Sequence, residues 1–227
     1  MKFYLDSDWF IDTAEFIDLS IGVDTHGVRA WYLDNPRITP VMENGFVGSV
    51  EQGGAVNFRD IYFNPHGHGT HTESHGHISK EIFPVSACFN QFFFEAQLIT
   101  VTPALVGDDS VITASQLDSI QACEALVIRT LPNNLSKHTA NYSDTNPTYM
   151  DVACVEVLNK LGVKHLLVDI PSVDKEIDGG VLAFHHAFWN VPDGPILDRT
   201  ITELIYVPND TADGAYILEI VFIESKL

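Results

Sequence analysis

Short runs of β-branched and aliphatic residues recur along the second half of the chain. "LITVT" at 98–102, "ALVIR" at 125–129, "HLLVDI" at 165–170 and "YILEIVFI" at 216–223 each read as a strand. Between them the pattern lengthens to helical spacing. "TASQLDSIQACE", residues 113–124, offers Thr113 and Ser115 as caps and predicts a helix that leads directly into the 125–129 strand. In "TNPTYMDVACVEVLNKLG", Thr148 can cap with Asp151 three residues on, a short-armed capping box. Cys154, Val155, Leu158 and Leu161 follow as an apolar stripe, and Gly162 supplies the stop. A helix at 148–161 followed closely by a strand at 165–170 is an α/β unit. The first sixty residues and the last thirty read mostly as β and loop, with no repeat, low-complexity tract or linker between them. The expectation is a mixed α/β or α+β fold in a single domain spanning residues 1–227.

Composition narrows the partners. A hydrophobic fraction of 45% can build a sizeable core, and 19% charged residues are too few for a disordered chain. Twelve basic against 31 acidic side chains leave a formal charge of −19, a surface that repels phosphate backbones and anionic bilayers. No nucleic acid and no membrane are therefore expected as partners; the plainest use of the acidity is solubility. No run approaches the length of a membrane-spanning helix, and "MKFYLDSDWFIDTAEF" carries acids where a signal peptide would be apolar. Cys88, Cys123 and Cys154 lie far apart with no CxxC pair, as reduced, buried thiols of a cytoplasmic protein do.

Against this background one stretch stands out. In "NPHGHGTHTESHGHI", residues 64–78, five of the ten histidines of the chain fall between His66 and His77, with Glu73 among them. Interleaved glycines and the Thr70/Thr72 pair disfavour a long helix. In an extended chain His71, Glu73, His75 and His77 share a face. Imidazoles converging with a carboxylate suit a borderline divalent ion, Zn²⁺ or alternatively Mn²⁺. A solvated histidine-rich loop fits the spacing equally well, and a specific site needs further ligands from elsewhere. "VDIPSVDKEIDGG" supplies Asp169, Asp174 and Asp178, and "FHHAFWNVPDGPILDRT" supplies His185, His186, Asp193 and Asp198. His26, His138 and His165 have no acids at ligand spacing and read as surface or core residues.

The order of these segments resembles the cyclase family of metal-dependent hydrolases, which includes kynurenine formamidases and isatin hydrolases. "IDLSIGV" at 17–23 stands for the family's early "DLT/DLS" strand, and "GHGTHTESHGH" at 67–77 for its H-x-G-T-H-x-D-x-P-x-H signature. "VIRTLPN" at 127–133 and "LNKLGVKHLLVDIPSVD" at 158–174 follow in the same order, then His186 and Asp198. The resemblance runs from about residue 16 to about 205 and implies a cyclase-like swivelling β/β/α fold. It implies His71 as ligand of a first metal, Glu73 and Asp198 at the positions that bridge two metals, and His186 as ligand of the second. His77 matches the proton-shuttling histidine, and Trp31, in "AWYLDNP", an aromatic that lines the substrate pocket. One or two Zn²⁺ or Mn²⁺ ions per subunit and a homodimer or higher homo-oligomer are implied as well.

Four positions depart from the pattern. Gly67 replaces the first signature histidine, so one ligand of the first metal is missing, for which His66 or His68 can substitute; Glu73 and Asp198 have exchanged the lengths of the family's bridging Asp and Glu; and His75 replaces the signature proline. The reading that follows is a metal-dependent hydrolase of an amide, lactam or ester in a small-molecule substrate, with His77 moving the proton. The alternative is a metal-binding pseudoenzyme of the same fold. A surface metal store would instead leave 71–77 and 186–198 far apart.

Overall fold

The structure, a computed structural model, describes residues 2–4 and 10–222. Its centre is a six-stranded sheet of β1 (His71–Glu73), β2 (Phe93–Val101), β3 (Ala125–Thr130), β4 (His165–Val168), β5 (Thr200–Glu203) and β6 (Gly214–Glu219), in the order β6-β2-β3-β4-β5-β1. The four middle strands run parallel, and both edge strands are antiparallel to their neighbours. β3, β4 and β5 are buried at every residue, as interior strands of a sheet covered on both faces must be. Ile128, Leu166, Val168 and Ile201 project to the face covered by α1 (Cys154–Leu161) and α2 (Ala183–Trp189), where the main core forms. Leu98, Val127, Leu167, Ile205 and Val207 build a smaller cluster on the other face. The architecture is thus mixed α+β around one mixed sheet.

Four sequence expectations meet the structure differently. The strand expected at 98–102 begins five residues earlier, at Phe93, and the one expected at 216–223 ends at Glu219. Only one helical turn, Ala114–Gln116, forms in the 113–124 segment. The 148–161 helix begins at Cys154, because Thr148 spends its hydroxyl on Ser110 and Tyr149–Met150 pair in parallel with Val111–Ile112. Its end is as the sequence predicts: Gly162 takes the left-handed conformation at φ +80° and closes the helix. Residues 183–189 form the helix α2, which buries His185. Among the described residues no helix is long and apolar enough to cross a membrane.

Candidate metal centre

The centre is built on the edge strand β1, its neighbour β5 and the helix α2. Because strand side chains alternate, His71 and Glu73 point to the helix-covered face, while Thr72 points away and meets Thr202 Oγ1 at 2.8 Å. His71 lies directly opposite Glu203 in the register, and its Nε2 is 3.5 Å from Glu203 Oε2. After β1 the chain turns through His75–His77, with the Ser74 hydroxyl accepting from Gly76 N–H, and this turn carries the His77 ring back to Nε2···Oε2 3.6 Å from Glu73. His66 approaches from the preceding loop, its Nδ1 3.2 Å from Glu73 Oε2. The loop is held from two sides: Trp31 Nε1–H donates to the His66 carbonyl at 3.0 Å, and Gly69, at φ +113°, takes a conformation a side chain would resist. The His66 ring stacks on His77 at 4.2 Å between centroids and meets His71 edge-on at 5.1 Å.

His185 closes the centre from α2. Phe184, His185, Phe188 and Trp189 form the buried stripe of that helix, so His185 faces the sheet. Its Nε2 lies 2.8 Å from Glu73 Oε1 and its Nδ1 2.6 Å from Asp174 Oδ2. The Asp174 carboxylate also accepts the backbone N–H groups of Phe184 and His185, at 2.8 and 3.1 Å, and so fixes the start of α2 and its histidine together. Glu203 Oε1 accepts the Val173 N–H at 2.9 Å. Glu73, Glu203, His71, His185 and Asp174 are all buried.

So many ionisable groups in so little water perturb one another. Burial disfavours the Glu73 carboxylate, yet His185 and His66 beside it hold its pKa far below the usual carboxylate range. Burial works against a charged His185 too, but Asp174 and Glu73 on either side raise it to about 10. Glu203 is pushed up, first by burial and then by the Glu73 charge. Burial lowers the pKa of the half-exposed His77, which favours its neutral form.

A divalent cation fits this donor set. His66 Nδ1, His71 Nε2 and Glu73 Oε2 are buried atoms without a hydrogen-bond partner, the condition that a bound cation relieves. One donor atom each from His66, His71 and Glu73 lies within 4.8 Å of the others, and the same holds for Glu73, His77 and His185. Glu73 belongs to both triads, so its two oxygens can serve one ion or two. The Asp174–His185 pair repeats the carboxylate–histidine arrangement that orients imidazole ligands, with Nε2 turned toward Glu73.

The sequence profile of the family described as "Putative cyclase" matches residues 17–175, about two-thirds of the chain. The chain belongs to the cyclase family. Solved structures agree with this chain in fold. A potential metal-dependent hydrolase with cyclase activity superposes with a TM-score of 0.60 at 14% identity, covering 88% of this chain and 85% of that one. A predicted metal-dependent hydrolase from Bacillus stearothermophilus gives 0.57 at 14%, covering 88% and 86%. An isatin hydrolase bound to the product analogue thioisatinate gives 0.59 at 12%, covering 87% and 82%. No curated protein matches the sequence.

Of the residues singled out in the sequence, His66, His71, Glu73 and His77 come together, and Trp31 touches them through the His66 carbonyl. Three do not. His68 is buried, but its Nε2 meets the Asp34 carbonyl at 2.9 Å and its Nδ1 accepts the Asn64 N–H at 2.9 Å, leaving neither nitrogen free. His186 is turned about 100° from His185 by the helix and places Nδ1 3.0 Å from the Val191 carbonyl. Asp198 is exposed and pairs with Lys164 Nζ at 3.3 Å. The inward positions belong to His185 and Glu203. Each had a signal: His185 lies on the Phe184–Phe188–Trp189 stripe, and Glu203 is a lone acid within the strand-like "TITELIYV".

Proposed function

We propose that this cyclase is a metal-dependent hydrolase that cleaves an amide, lactam or ester bond of a small molecule. The observation that carries this reading is the convergence of three buried, unpartnered donor atoms from His66, His71 and Glu73. His71, Glu73, His66 and His185 would hold one or two ions, Zn²⁺ or Mn²⁺, with Glu203 opposite His71 as a further carboxylate. A divalent ion of this type supplies a water whose pKa is lowered to about 7 and a Lewis acid for the carbonyl. Glu73 fixes the rings around it, and Asp174 keeps His185 in the tautomer that presents Nε2. His77, on the exposed side of the cluster and pushed toward its neutral form, takes the proton of the attacking water and returns it to the leaving nitrogen or oxygen. Trp31, which donates to the His66 carbonyl, would line the substrate pocket. Three buried free thiols suit a cytoplasmic location.

Metal content, measured by elemental analysis alongside a screen of N-formyl amides, lactams and lactones, tests the reading. Glu73→Ala should lose the metal and the activity together. His77→Ala should retain metal while turnover falls by roughly 10²–10⁴. Asp198→Asn should change neither. Turnover that survives metal removal, or metal loss in the Asp198 variant, overturns the assignment. Tight metal binding with no turnover on any substrate class would favour the pseudoenzyme.

A further inference from the structure

His66 is the least buried member of the triad it forms with His71 and Glu73. Its side chain is 41% exposed, against 7% for His71 and 3% for Glu73. A loop residue of this kind needs outside support to keep its ring in one place. The support comes from Trp31, whose indole N–H donates to the His66 carbonyl at 3.0 Å. Beside it, Ala30 N–H donates to the Gly67 carbonyl at 3.1 Å.

The turn that carries Trp31 is strained. Leu33 N–H donates to the Ala30 carbonyl at 3.3 Å, and both central residues, Trp31 and Tyr32, take φ +61°. Positive φ at both central positions is the pattern of a type I′ turn, whose centre is dominated by Gly, Asn and Asp. A bulky side chain there crowds the following carbonyl oxygen. Among the described residues eight non-glycine residues have a positive φ. Four are Asn or Asp; the others are Trp31, Tyr32, Leu182 and Leu204. Leu182 is the residue before α2, three before His185, and Leu204 follows Glu203. The large residues in this conformation thus all adjoin the metal centre, where a fold keeps strain that serves a geometry.

Such a turn persists only where its surroundings hold it. Ser143 Oγ accepts the Tyr32 N–H at 2.8 Å. Arg29 N–H donates to the Ala140 carbonyl and Tyr142 N–H to the Arg29 carbonyl, both at 2.9 Å, so residues 140–143 grip the turn and its approach from one side. That loop is itself fixed to the segment after β4. Glu176 accepts the N–H groups of Asp144 and Asn146 at 2.7 and 3.1 Å, and Lys137 Nζ lies 2.6 Å from Asp169 Oδ2. The same segment carries Asp174, which orients His185. The imidazoles of His66 and His185, on either side of Glu73, are therefore both referred to residues 169–176.

Resting on the metal site proposed above, we infer that Ser143 is a positioning residue of the centre. It holds the Trp31–Tyr32 turn in its left-handed form and, through the Trp31 indole, sets His66 as a ligand. Ser143→Ala frees the turn to relax and should weaken zinc binding, measured by chelator competition, by about 10-fold, as loss of a group that orients a ligand does. Adding Tyr32→Gly should restore the native affinity, because glycine takes φ +61° without a clamp. In a His66→Ala chain, Ser143→Ala should cost no further affinity. In the metal-free protein at one fixed pH, the His66 Cε1–H resonance should move in Ser143→Ala and return in the double variant. Native affinity in Ser143→Ala, a loss that Tyr32→Gly fails to repair, an equal loss in the His66→Ala chain, or an unmoved His66 resonance would each overturn the inference. A native protein that binds no zinc would sink the hydrolase reading, while the His66 resonance, read without metal, still decides this one.

Discussion

A side chain at position 67 would meet Leu33 Cδ1 at 2.5 Å and the Ala30 carbonyl at 3.2 Å. The first is the mobile end of a side chain and can yield; the second is backbone and cannot move far. The space that the family signature gives to an imidazole is filled here by Leu33, and His66, one residue earlier, reaches Glu73 instead. Restoring the signature by Gly67→His should therefore gain no ligand. It should cost roughly 1–3 kcal/mol of stability as an overpacked site, with Leu33→Ala recovering part of the loss. Urea unfolding and zinc titration read the two effects. A Gly67→His protein of undiminished stability and tighter zinc binding would show that position 67, not 66, is the natural place for the ligand.

At the level of elements, β3, β4 and the end of α1 were legible because periodic burial wrote them into the sequence: apolar runs for the strands, the Cys154–Leu161 stripe and its glycine stop for the helix. What failed depended on partners distant in the chain. In "AFHHAFW" the Phe184–Phe188–Trp189 spacing is a short signal on its own, and the helix is fixed by a distant partner, Asp174, which accepts the N–H groups of Phe184 and His185. The 113–124 segment opens with a Thr113–Gln116 capping box yet makes only one turn, where Gln116 Nε2 donates to the Thr102 carbonyl at 2.6 Å. β4 also carries a liability. His165 at its start is 2% exposed, its ring between Phe89 and Phe94, with Nδ1 2.9 Å from Thr200 Oγ1. Burial drives its pKa down from 6.5 to about 4. Above pH about 6.5 the ring is neutral folded or unfolded, and stability is unaffected. As pH falls from there toward about 4, the unfolded chain takes up a proton that the folded one refuses, a loss approaching roughly 3 kcal/mol. His165→Leu should be less stable at neutral pH, because it strands the Thr200 hydroxyl, but its stability should fall less between pH 6.5 and 4. Parallel urea midpoints for the two proteins across that window would refute the assignment.

Over the whole molecule, the metal centre is where distant parts of the chain are tied together. His66, His71, Glu73 and His77 come from the loop and edge strand before β2, Asp174 from the loop after β4, His185 from α2 and Glu203 from β5. Glu73 and Glu203 stay close together only because imidazoles balance them, and the net charge of −19 adds repulsion that opposes compactness. A cation bound there and absent from the unfolded chain stabilises the fold by mass action: about 4 kcal/mol when the free ion is a thousandfold above its dissociation constant. For a chain of this length each kcal/mol moves the melting temperature by about 2–4 °C. Stripping the protein with a chelator should therefore lower Tm by roughly 10 °C, and stoichiometric Zn²⁺ should restore it. Glu73→Gln should abolish the shift without abolishing the fold, because a neutral amide keeps the shape while weakening the hold on the ion. A Tm indifferent to chelator in the native protein would mean that these residues close on one another and not on a metal. The buried histidine–carboxylate cluster would then be a structural network, and the pseudoenzyme reading would fall with the hydrolase.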